Sequence, residues 1–563
     1  MSIDIETYRL KAQEAIEYVF VKEYHNSLGI PMPIVKILLP DDANYSTGQY
    51  YITIDKTWQI HLNFGKLPIS YHEFQNEVKV LTRHEIEHYM CCPFDVITHF
   101  RMLKRIKDVY YKHFSHLGIN IEYACGAISN QAADIIVDTK NYYRHSKETL
   151  KSEIDWIKIG ANISACPRHC KLMFLTKEAI WKEDLGINET DPEFLKIVHQ
   201  LADSFTKNGI EDKSSFLDKV EEYAEIFFKL YVEDQKNPQQ SSQQGSQQQN
   251  GQQGSQQQSG QWGVGRPKDG DEHGNAFVFA DPDKVKEAIE VLAEETSVEE
   301  FIDLLAIAGI IGMSDKQKGV LWFNVQSANI IPIVEFSNTG NKSSYTYPSV
   351  WRIGDPIEEL DLMLTYMTSP RLIPGMTTKK WEYVSNDDNG TESKQMDLLL
   401  VVDTSGSMGS AMKESANMHQ AVLASYGILS YFESTKSKVA FIGFSDKIDA
   451  YVDWSDKYDD VRERLLTNGH GGTKFPISRI KSTLDVRSRD LVTVLITDGD
   501  LGNINESVSY FRDYLNDDNK LYIFLLVGSK SLHSYEPLKN IGAKIYNANN
   551  ANEFCDMVLT DME

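Results

Sequence analysis

The sequence has little of several features that would assign it to a special class of protein. Its 563 residues include only six cysteines, too few for a disulfide scaffold, so we expect the thiols to be reduced. The first residues contain neither a basic stretch nor an apolar block of the kind that forms a signal peptide. The longest apolar run, Leu304 to Met313, is about half as long as a bilayer span. These absences predict a cytoplasmic protein that has no membrane partner.

Positive charge is also scarce. The chain has 57 Lys and Arg residues against 81 Asp and Glu residues, which gives a formal net charge of −24. Nucleic acids and anionic membrane surfaces would repel such a chain, so we expect no nucleic-acid partner and favour cationic or metal-bearing ones. A hydrophobic content of 41% still predicts a mostly globular protein, and the length predicts three to four domains.

One internal segment has neither apolar nor charged side chains. Residues 239–261 contain only Gln, Ser, Gly and Asn. Such a segment buries nothing that could offset the entropy of ordering it, which predicts a flexible linker and leaves Gln-driven aggregation as the alternative. The predicted organisation is a mainly helical α+β domain at 1–233, the linker at 234–262, a helical and mixed connecting region at 263–390, and an α/β domain at 391–563.

The pattern of apolar residues predicts the elements on both sides of the linker. Before it, three short runs of strand character precede a long helical pattern from about Tyr71 to Met90. After it, Pro282 to Ile311 has helical periodicity, and Val320 to Glu335 carries strand-like residues. From Asp397 onward, apolar strands alternate with amphipathic helices. This alternation predicts a doubly wound parallel sheet that binds its ligands at the carboxyl ends of the strands.

The pattern HExxH occurs as HEIEH at residues 84–88. Residues four apart lie on one face of a helix, so His84 and His88 can present imidazole nitrogens to one ion. A zinc ion held in this way acidifies water, and Glu85 is the candidate general base beside it. A structural histidine pair is the alternative. The ionisable residues continue the apolar stripe of their helix, however, and buried charge needs a partner.

A catalytic zinc site needs a third protein ligand, and the helical pattern at residues 130–138 offers one. Asp134 and Asp138 lie four apart on one face, so Asp134 is the candidate ligand and Asp138 the candidate partner that orients a ligand histidine. Two exposed carboxylates are the alternative. The layout resembles that of gluzincins, with Asp in place of the usual Glu, which requires a closer helix. Zinc is inferred over manganese or iron from ligand type alone.

Two further groups on the same half of the chain carry reactive atoms. Tyr142, Tyr143 and His145 follow the aspartate pair on the same predicted helix and could polarise a substrate carbonyl. Cys166 and Cys170, together with Cys91 and Cys92, could form a second, structural zinc site, but the spacing of Cys166 and Cys170 differs from that of a zinc knuckle. Ordinary reduced thiols are therefore the favoured interpretation of these cysteines.

A second set of candidate ligands lies in the α/β domain. Two hydroxyls and a carboxylate form the pattern DxSxS at the end of a predicted strand, and a threonine and an aspartate follow in later loops of the same sheet. These residues are Asp403, Ser405, Ser407, Thr473 and Asp498. Hard oxygen ligands suit magnesium far better than zinc. A Ser/Gly loop without metal is the alternative.

This set resembles the metal-ion-dependent adhesion site of the von Willebrand factor A domain, and the resemblance covers about Met396 to the C-terminus. It implies a Rossmann-like A domain in which Mg²⁺ keeps one coordination position open for a carboxylate of a partner protein. Such a site binds a partner and offers no evident base or nucleophile.

Both halves together resemble the VWA-like metallopeptidase family of bacteria and their viruses. The residues that carry this resemblance are the HEIEH helix with Pro93-Phe94-Asp95 after it, the aspartate helix, and Trp351 to Pro356 ahead of the A domain. The resemblance implies a zincin-like peptidase domain and a MoxR-type AAA+ ATPase as partner. The alternative is a non-enzymatic, chelatase-like adaptor with a structural metal, which would not need Glu85. Defence or toxin-like proteolysis is a third setting.

Overall fold

The structure is a computed structural model. It describes residues 5–42, 45, 50–54, 58–64, 70–159, 163, 166–236, 282–308, 310, 313–328, 345–350, 379–384, 396–487, 490–499, 501–517, 519–526 and 532–548. The chain divides into two compact units, residues 1–318 and 319–563, and is of the mixed α/β class, as predicted. Within the described ranges, no helix is both long and apolar enough to cross a membrane.

In its described residues, the first unit is mainly helical and contains one small sheet. Its helices are α1 (Ile5–Glu17), α2 (Tyr71–Met90), α3 (Val96–Val109), α4 (Ile121–Ile159), α5 (Arg168–Trp181), α6 (Pro192–Thr206), α7 (Phe216–Lys236), α8 (Pro282–Glu295) and α9 (Val298–Ile307). Its strands are β1 (Ile34–Leu38), β2 (Tyr50–Ile54) and β3 (Gln59–Phe64). Strand β3 lies between β1, which is parallel to it, and β2, which is antiparallel. These strands match the three runs of strand character.

Helix α2 has the bounds that the sequence predicts, and local chemistry sets its start. Ser70 is the N-cap: its hydroxyl accepts a hydrogen bond from the backbone N–H of Glu73 and donates one to the Glu73 carboxylate. Phe74, Val78 and Leu81 on one face are buried in a core shared with α1 and β3. Because residues 84 and 88 continue this buried face, the fold places the HEIEH segment inside the unit rather than on its surface.

The helices that follow the Gln-rich segment pack back onto α3. Three ion pairs connect basic residues of α3 to acidic residues of α8 and α9: Arg101 with Glu295, Lys104 with Glu300, and Lys107 with Asp303. The boundary between the two compact units falls after Lys318, so α8 and α9 belong to the first unit. Composition marks a segment that cannot form a core, but it does not reveal which core the next helices join.

The second unit contains a six-stranded sheet and a separate pair of antiparallel strands, β4 (Tyr345–Val350) and β5 (Lys379–Val384). The strands of the sheet are β6 (Asp397–Asp403), β7 (Val439–Phe444), β8 (Ile448–Ser455), β9 (Leu491–Thr497), β10 (Lys520–Leu526) and β11 (Lys544–Ala548). The helices are α10 (Asp315–Ala328), which crosses the unit boundary, α11 (Asn417–Ser434), α12 (Tyr458–Leu465), α13 (Ile477–Leu484), α14 (Val508–Asn516) and α15 (Glu536–Lys539).

The strand order of the sheet is β11-β10-β9-β6-β7-β8. The prediction of an all-parallel sheet is wrong at one edge, because β8 runs antiparallel to β7. Only residues 445–447 separate these strands, and a parallel crossover needs a dozen residues or more. Strand β6 pairs with β7 on one side and with β9 on the other, so the order of the strands reverses direction at β6. The carboxyl ends of β6 and β9 thus flank the switch point where such sheets bind ligands.

The strand predicted from Val320 to Glu335 is not formed within the described part of that stretch. Residues up to Ala328 belong to α10, and residues 329–335 lie outside the described ranges, as do residues 351–356. The bulky side chains that suggested a strand pack against α11 instead. Trp322 is buried 5.3 Å from the His419 ring, and Phe323 is buried 5.5 Å from the Tyr426 ring. Tertiary contact overrides strand propensity here.

Candidate functional site

Helices α2 and α4 bring three predicted ligands to one point. The Nε2 atoms of His84 and His88 are 3.0 Å apart. Asp134 Oδ1 lies 3.2 Å from Nε2 of His88 and 3.5 Å from Nε2 of His84. Both histidines are buried. Among the described residues, this trio is the one group of three or more His, Cys, Asp or Glu side chains whose ligand atoms lie close enough together to hold one metal ion.

The outer nitrogen of each ring is tied to an acceptor. His84 Nδ1 lies 2.6 Å from Asp138 Oδ1, and His88 Nδ1 lies 2.8 Å from the carbonyl oxygen of Cys92. An N–H at Nδ1 satisfies both acceptors, so in the neutral rings the lone pairs are on the two Nε2 atoms that face Asp134. Three acceptor atoms about 3 Å apart repel one another unless positive charge lies between them.

The pKa values of His88 and Asp134 are shifted in the directions that favour an ion pair between the two side chains. Burial opposes a charged His88, but contact with Asp134 and the nearby charge of Glu85 raise the pKa of His88 to about 9. Burial also opposes an ionised Asp134, but contact with His88 and the charge of His84 lower the pKa of Asp134. The donor set of two imidazoles and one carboxylate suits zinc, with manganese and iron as further candidates.

The remaining oxygen of Asp134 is held away from the trio. Asn130, one turn earlier on α4, donates a hydrogen bond of 3.2 Å to Asp134 Oδ2. This contact leaves Oδ1 directed at the two imidazoles, an arrangement suited to ligation through one oxygen. The shorter arm of Asp requires the close helix approach that the sequence analysis anticipated, and the distances to His84 and His88 are consistent with it.

Asp138 lies where the sequence analysis expects a residue that orients His84. Its Oδ1 atom accepts from His84, and its Oδ2 atom accepts from the ammonium group of Lys177 at 2.5 Å. Lys177 belongs to α5 and was missed in the sequence analysis. One signal for it exists: a lysine directly follows the mostly apolar stretch at residues 172–176, which suggests a buried ion pair.

The two glutamates of the HEIEH segment have different surroundings. Glu85 is half-buried, and its charge acts on His88. Glu87 is fully buried and lies 2.9 Å from the Lys140 ammonium group and 2.8 Å from the Arg144 guanidinium group, both on α4. Glu87 therefore joins the two helices that carry the ligands, whereas Glu85 lies beside the ligands.

The other reactive side chains of this unit have different neighbours. The Tyr142 hydroxyl donates to Glu183 at 2.8 Å, and Tyr143 is exposed. His145 lies at a break in α4 and is 3.8 Å from the carboxylate of Glu23. These contacts lend no support to a role for the three residues in polarising a substrate carbonyl.

The cysteines match the expectation of reduced thiols. All five that the structure describes are free, and four of them are buried. Burial raises the pKa of Cys91 to about 11, which keeps its thiol protonated and unreactive. In the part of the chain that is described, Cys166 and Cys170 belong to no group of three possible metal ligands, so a second zinc site has no support there.

The second candidate site lies at the switch point of the large sheet. Asp403, the last residue of β6, is fully buried. Its two carboxylate oxygens accept hydrogen bonds from the backbone N–H of Ser405 at 2.9 Å and from the Thr497 hydroxyl at 2.7 Å. Burial and the nearby charge of Asp498 raise the pKa of Asp403, and the two hydrogen bonds, which lower it, do not fully compensate. A cation would offset this cost of burying the carboxylate.

Hydroxyl and carboxylate oxygens continue outward from Asp403. The hydroxyls of Ser405 and Ser407 are 3.1 Å apart, and Ser407 donates to Asp498 Oδ1 at 3.1 Å. Asn417, the first residue of α11, donates to the other oxygen of Asp498 at 3.0 Å. Asn417 and Thr497 were missed in the sequence analysis. All the oxygens are hard ligands of the kind that magnesium prefers.

Thr473 lies in the loop that passes alongside these residues. The backbone N–H of Gly406 donates to the Gly471 carbonyl at 3.2 Å, and Thr473 is half-buried two residues later. Gly471 has a φ of +113°, and a Cβ atom there would lie 3.2 Å from the Asp446 carboxylate. The glycine thus permits the close approach of this loop to Asp446.

No protein-family model matches this chain, and no curated protein matches it. Function is therefore inferred from the geometry of the two sites.

Proposed function

We propose that this protein is a zinc-dependent peptidase that is recruited or regulated through a magnesium-dependent A domain. The observation that carries the proposal is the convergence of His84, His88 and Asp134 within the first unit, with Glu85 beside them. A structural metal site would not need a glutamate next to its ligands, so Glu85 favours a hydrolase over a non-enzymatic adaptor.

In this proposal His84 and His88 would hold the zinc ion through Nε2, and Asp134 would hold it through Oδ1. A zinc ion bound by such ligands acidifies water and polarises a carbonyl group. The Glu85 carboxylate accepts a proton from the attacking water and donates it to the nitrogen of the leaving amine. Asp138 keeps the proton of His84 on Nδ1, which leaves Nε2 free for ligation.

The second site is proposed to bind a partner rather than to catalyse a reaction. Asp403, Ser405, Ser407, Thr473 and Asp498 are its proposed Mg²⁺ ligands, held directly or through water. The occupant of an open coordination position would be a carboxylate from a partner protein. The resemblance to VWA-like metallopeptidases makes a MoxR-type AAA+ ATPase the proposed partner.

Metal analysis tests the peptidase proposal. We expect the purified wild-type chain to contain about one zinc ion per molecule, by analogy with other three-ligand catalytic sites. Replacing both His84 and His88 by alanine removes two of three ligands, so the double variant should retain no zinc. Elemental analysis by plasma mass spectrometry after gel filtration measures both.

His169→Ala is the matched control for this experiment. His169 is equally buried, and its Nδ1 atom lies 2.8 Å from Asp234, as His84 lies beside Asp138. It is not part of the trio, so the control variant should keep its zinc. A wild-type chain that holds no zinc, manganese or iron would exclude the peptidase proposal.

A further inference from the structure

A chain of buried charges leads away from the proposed zinc site. Asp138 connects His84 to Lys177, and the Lys177 ammonium group lies 2.5 Å from Asp138 Oδ2 and 3.0 Å from Glu153 Oε1. Lys177 is 2% exposed and Asp138 is 4% exposed. The four groups therefore alternate as imidazole, carboxylate, ammonium and carboxylate along a path that solvent barely reaches.

Such an arrangement costs desolvation energy, because each buried ion loses its water. A lysine is among the residues least often found fully buried without a partner. The hydrophobic contacts of α5 could be made by an apolar side chain of similar length, such as methionine. The distinctive effect of the ammonium group is on Asp138, because it occupies the carboxylate oxygen that His84 does not use.

We propose that Lys177 is a positioning residue of the metal centre, which fixes Asp138 so that His84 presents Nε2 to the metal ion. The inference rests on the proposed zinc site but does not require peptidase activity. Because His84 and Lys177 each contact one of the two Asp138 oxygens, the carboxylate is held in one orientation. Its hydrogen bond in turn holds the His84 ring in place. Without Lys177, Asp138 loses the ion pair at Oδ2 that helps to hold its carboxylate in this orientation.

Helix α5 offers a matched control for this lysine. Lys171 is 8% exposed, and its ammonium group lies 2.8 Å from the carboxylate of Glu189. Lys171 is thus a second buried lysine of α5 that has a carboxylate partner. Unlike Asp138, that partner has no hydrogen bond to His84. Lys171→Met removes the same kind of ion pair without touching the path to the metal ligands.

Zinc affinity of the full-length chain is the readout, measured by competition with a chromophoric chelator. Loss of a residue that orients a metal ligand typically weakens binding about 10- to 100-fold, and we expect that range for Lys177→Met. Lys171→Met should bind zinc as the wild type does. The absorption spectrum of bound Co²⁺ should change for Lys177→Met alone, because the geometry of the His84 ligand changes.

A double-mutant cycle with Asp138→Asn separates positioning from a general effect on stability. If Lys177 acts through Asp138, then Lys177→Met weakens zinc binding much less in the Asp138→Asn background than in the wild type. If Lys177→Met does not fold, Lys177→Arg takes its place, since a planar guanidinium cannot reproduce the contacts of an ammonium group. The same order of affinities is expected.

The outcomes distinguish this inference from the proposed function. Wild-type affinity in the Lys177 variant, or equal losses in both backgrounds, would overturn the positioning role and leave the zinc site intact. A wild-type chain that binds neither Zn²⁺ nor Co²⁺ would overturn both. A chain that binds zinc with the predicted dependence on Lys177 but hydrolyses no peptide would overturn the peptidase proposal alone.

Discussion

Glu85→Gln is expected to abolish peptide hydrolysis while leaving zinc binding unchanged. Glutamine has the size of glutamate, but its amide cannot accept a proton from water, and removal of a general base lowers a rate about 10²- to 10⁴-fold. Zinc should be retained because Glu85 is not one of the three converging candidate ligands. The measurements are zinc content and the release of new amino termini from a peptide library, followed by mass spectrometry.

Glu87→Gln is the control, since it makes the same substitution two residues away on the same helix. Glu87 is fully buried between Lys140 and Arg144 of α4. Neutralising it leaves the buried Lys140 with a weaker partner, so the free energy of unfolding should fall. Hydrolysis below the unfolding temperature should stay close to that of the wild type. A Glu85→Gln variant that cleaves as fast as the wild type would remove Glu85 from the mechanism.

Asp403→Ala is expected to abolish the magnesium-dependent capture of a partner. Asp403 is the fully buried residue from which the oxygen cluster extends, and its removal takes away a charged ligand and the acceptor for Ser405 and Thr497. A hard divalent cation depends on such charged oxygen ligands. The measurement is co-sedimentation of the full chain with a purified MoxR-type AAA+ ATPase, in Mg²⁺ and in chelator.

The opposite end of the same strand provides the control for that variant. Asp397 begins β6, is fully buried, and forms an ion pair with Arg487. It also accepts a hydrogen bond of 2.8 Å from the backbone of Lys438. Asp397→Ala should therefore lower stability without affecting capture. Capture that persists undiminished in chelator would argue against the magnesium-dependent mechanism.

The candidate ligands were predictable because each pair lies in one local pattern. His84 and His88, and likewise Asp134 and Asp138, are four residues apart on a helix, a spacing that fixes their common face. Local spacing in the sequence does not show which helices pack against each other. Lys177 reaches Asp138 only because α5 packs against α4, and no spacing rule connects them.

The second site shows the same division. The carboxyl ends of parallel strands were predictable meeting points, and Asp403 and Asp498 follow from them. Asn417 could not be found in this way, because its contact with Asp498 depends on where α11 begins. The antiparallel edge strand β8 was missed because buried and exposed residues do not alternate regularly along it. The signal that indicates it is the connection at residues 445–447, which is too short to lead to a parallel strand.

The return of α8 and α9 to α3 has a consequence for the Gln-rich segment. Residues 237–281 connect α7 to α8, and both of these helices belong to the first unit. The segment therefore connects two helices of the same unit, and its length does not determine the distance between the two units. If it is flexible, as its composition predicts, doubling its length costs only about 0.6 kcal/mol of closure entropy. A fluorescent reporter inserted there, or a protease cut within it, should leave both flanking helices docked.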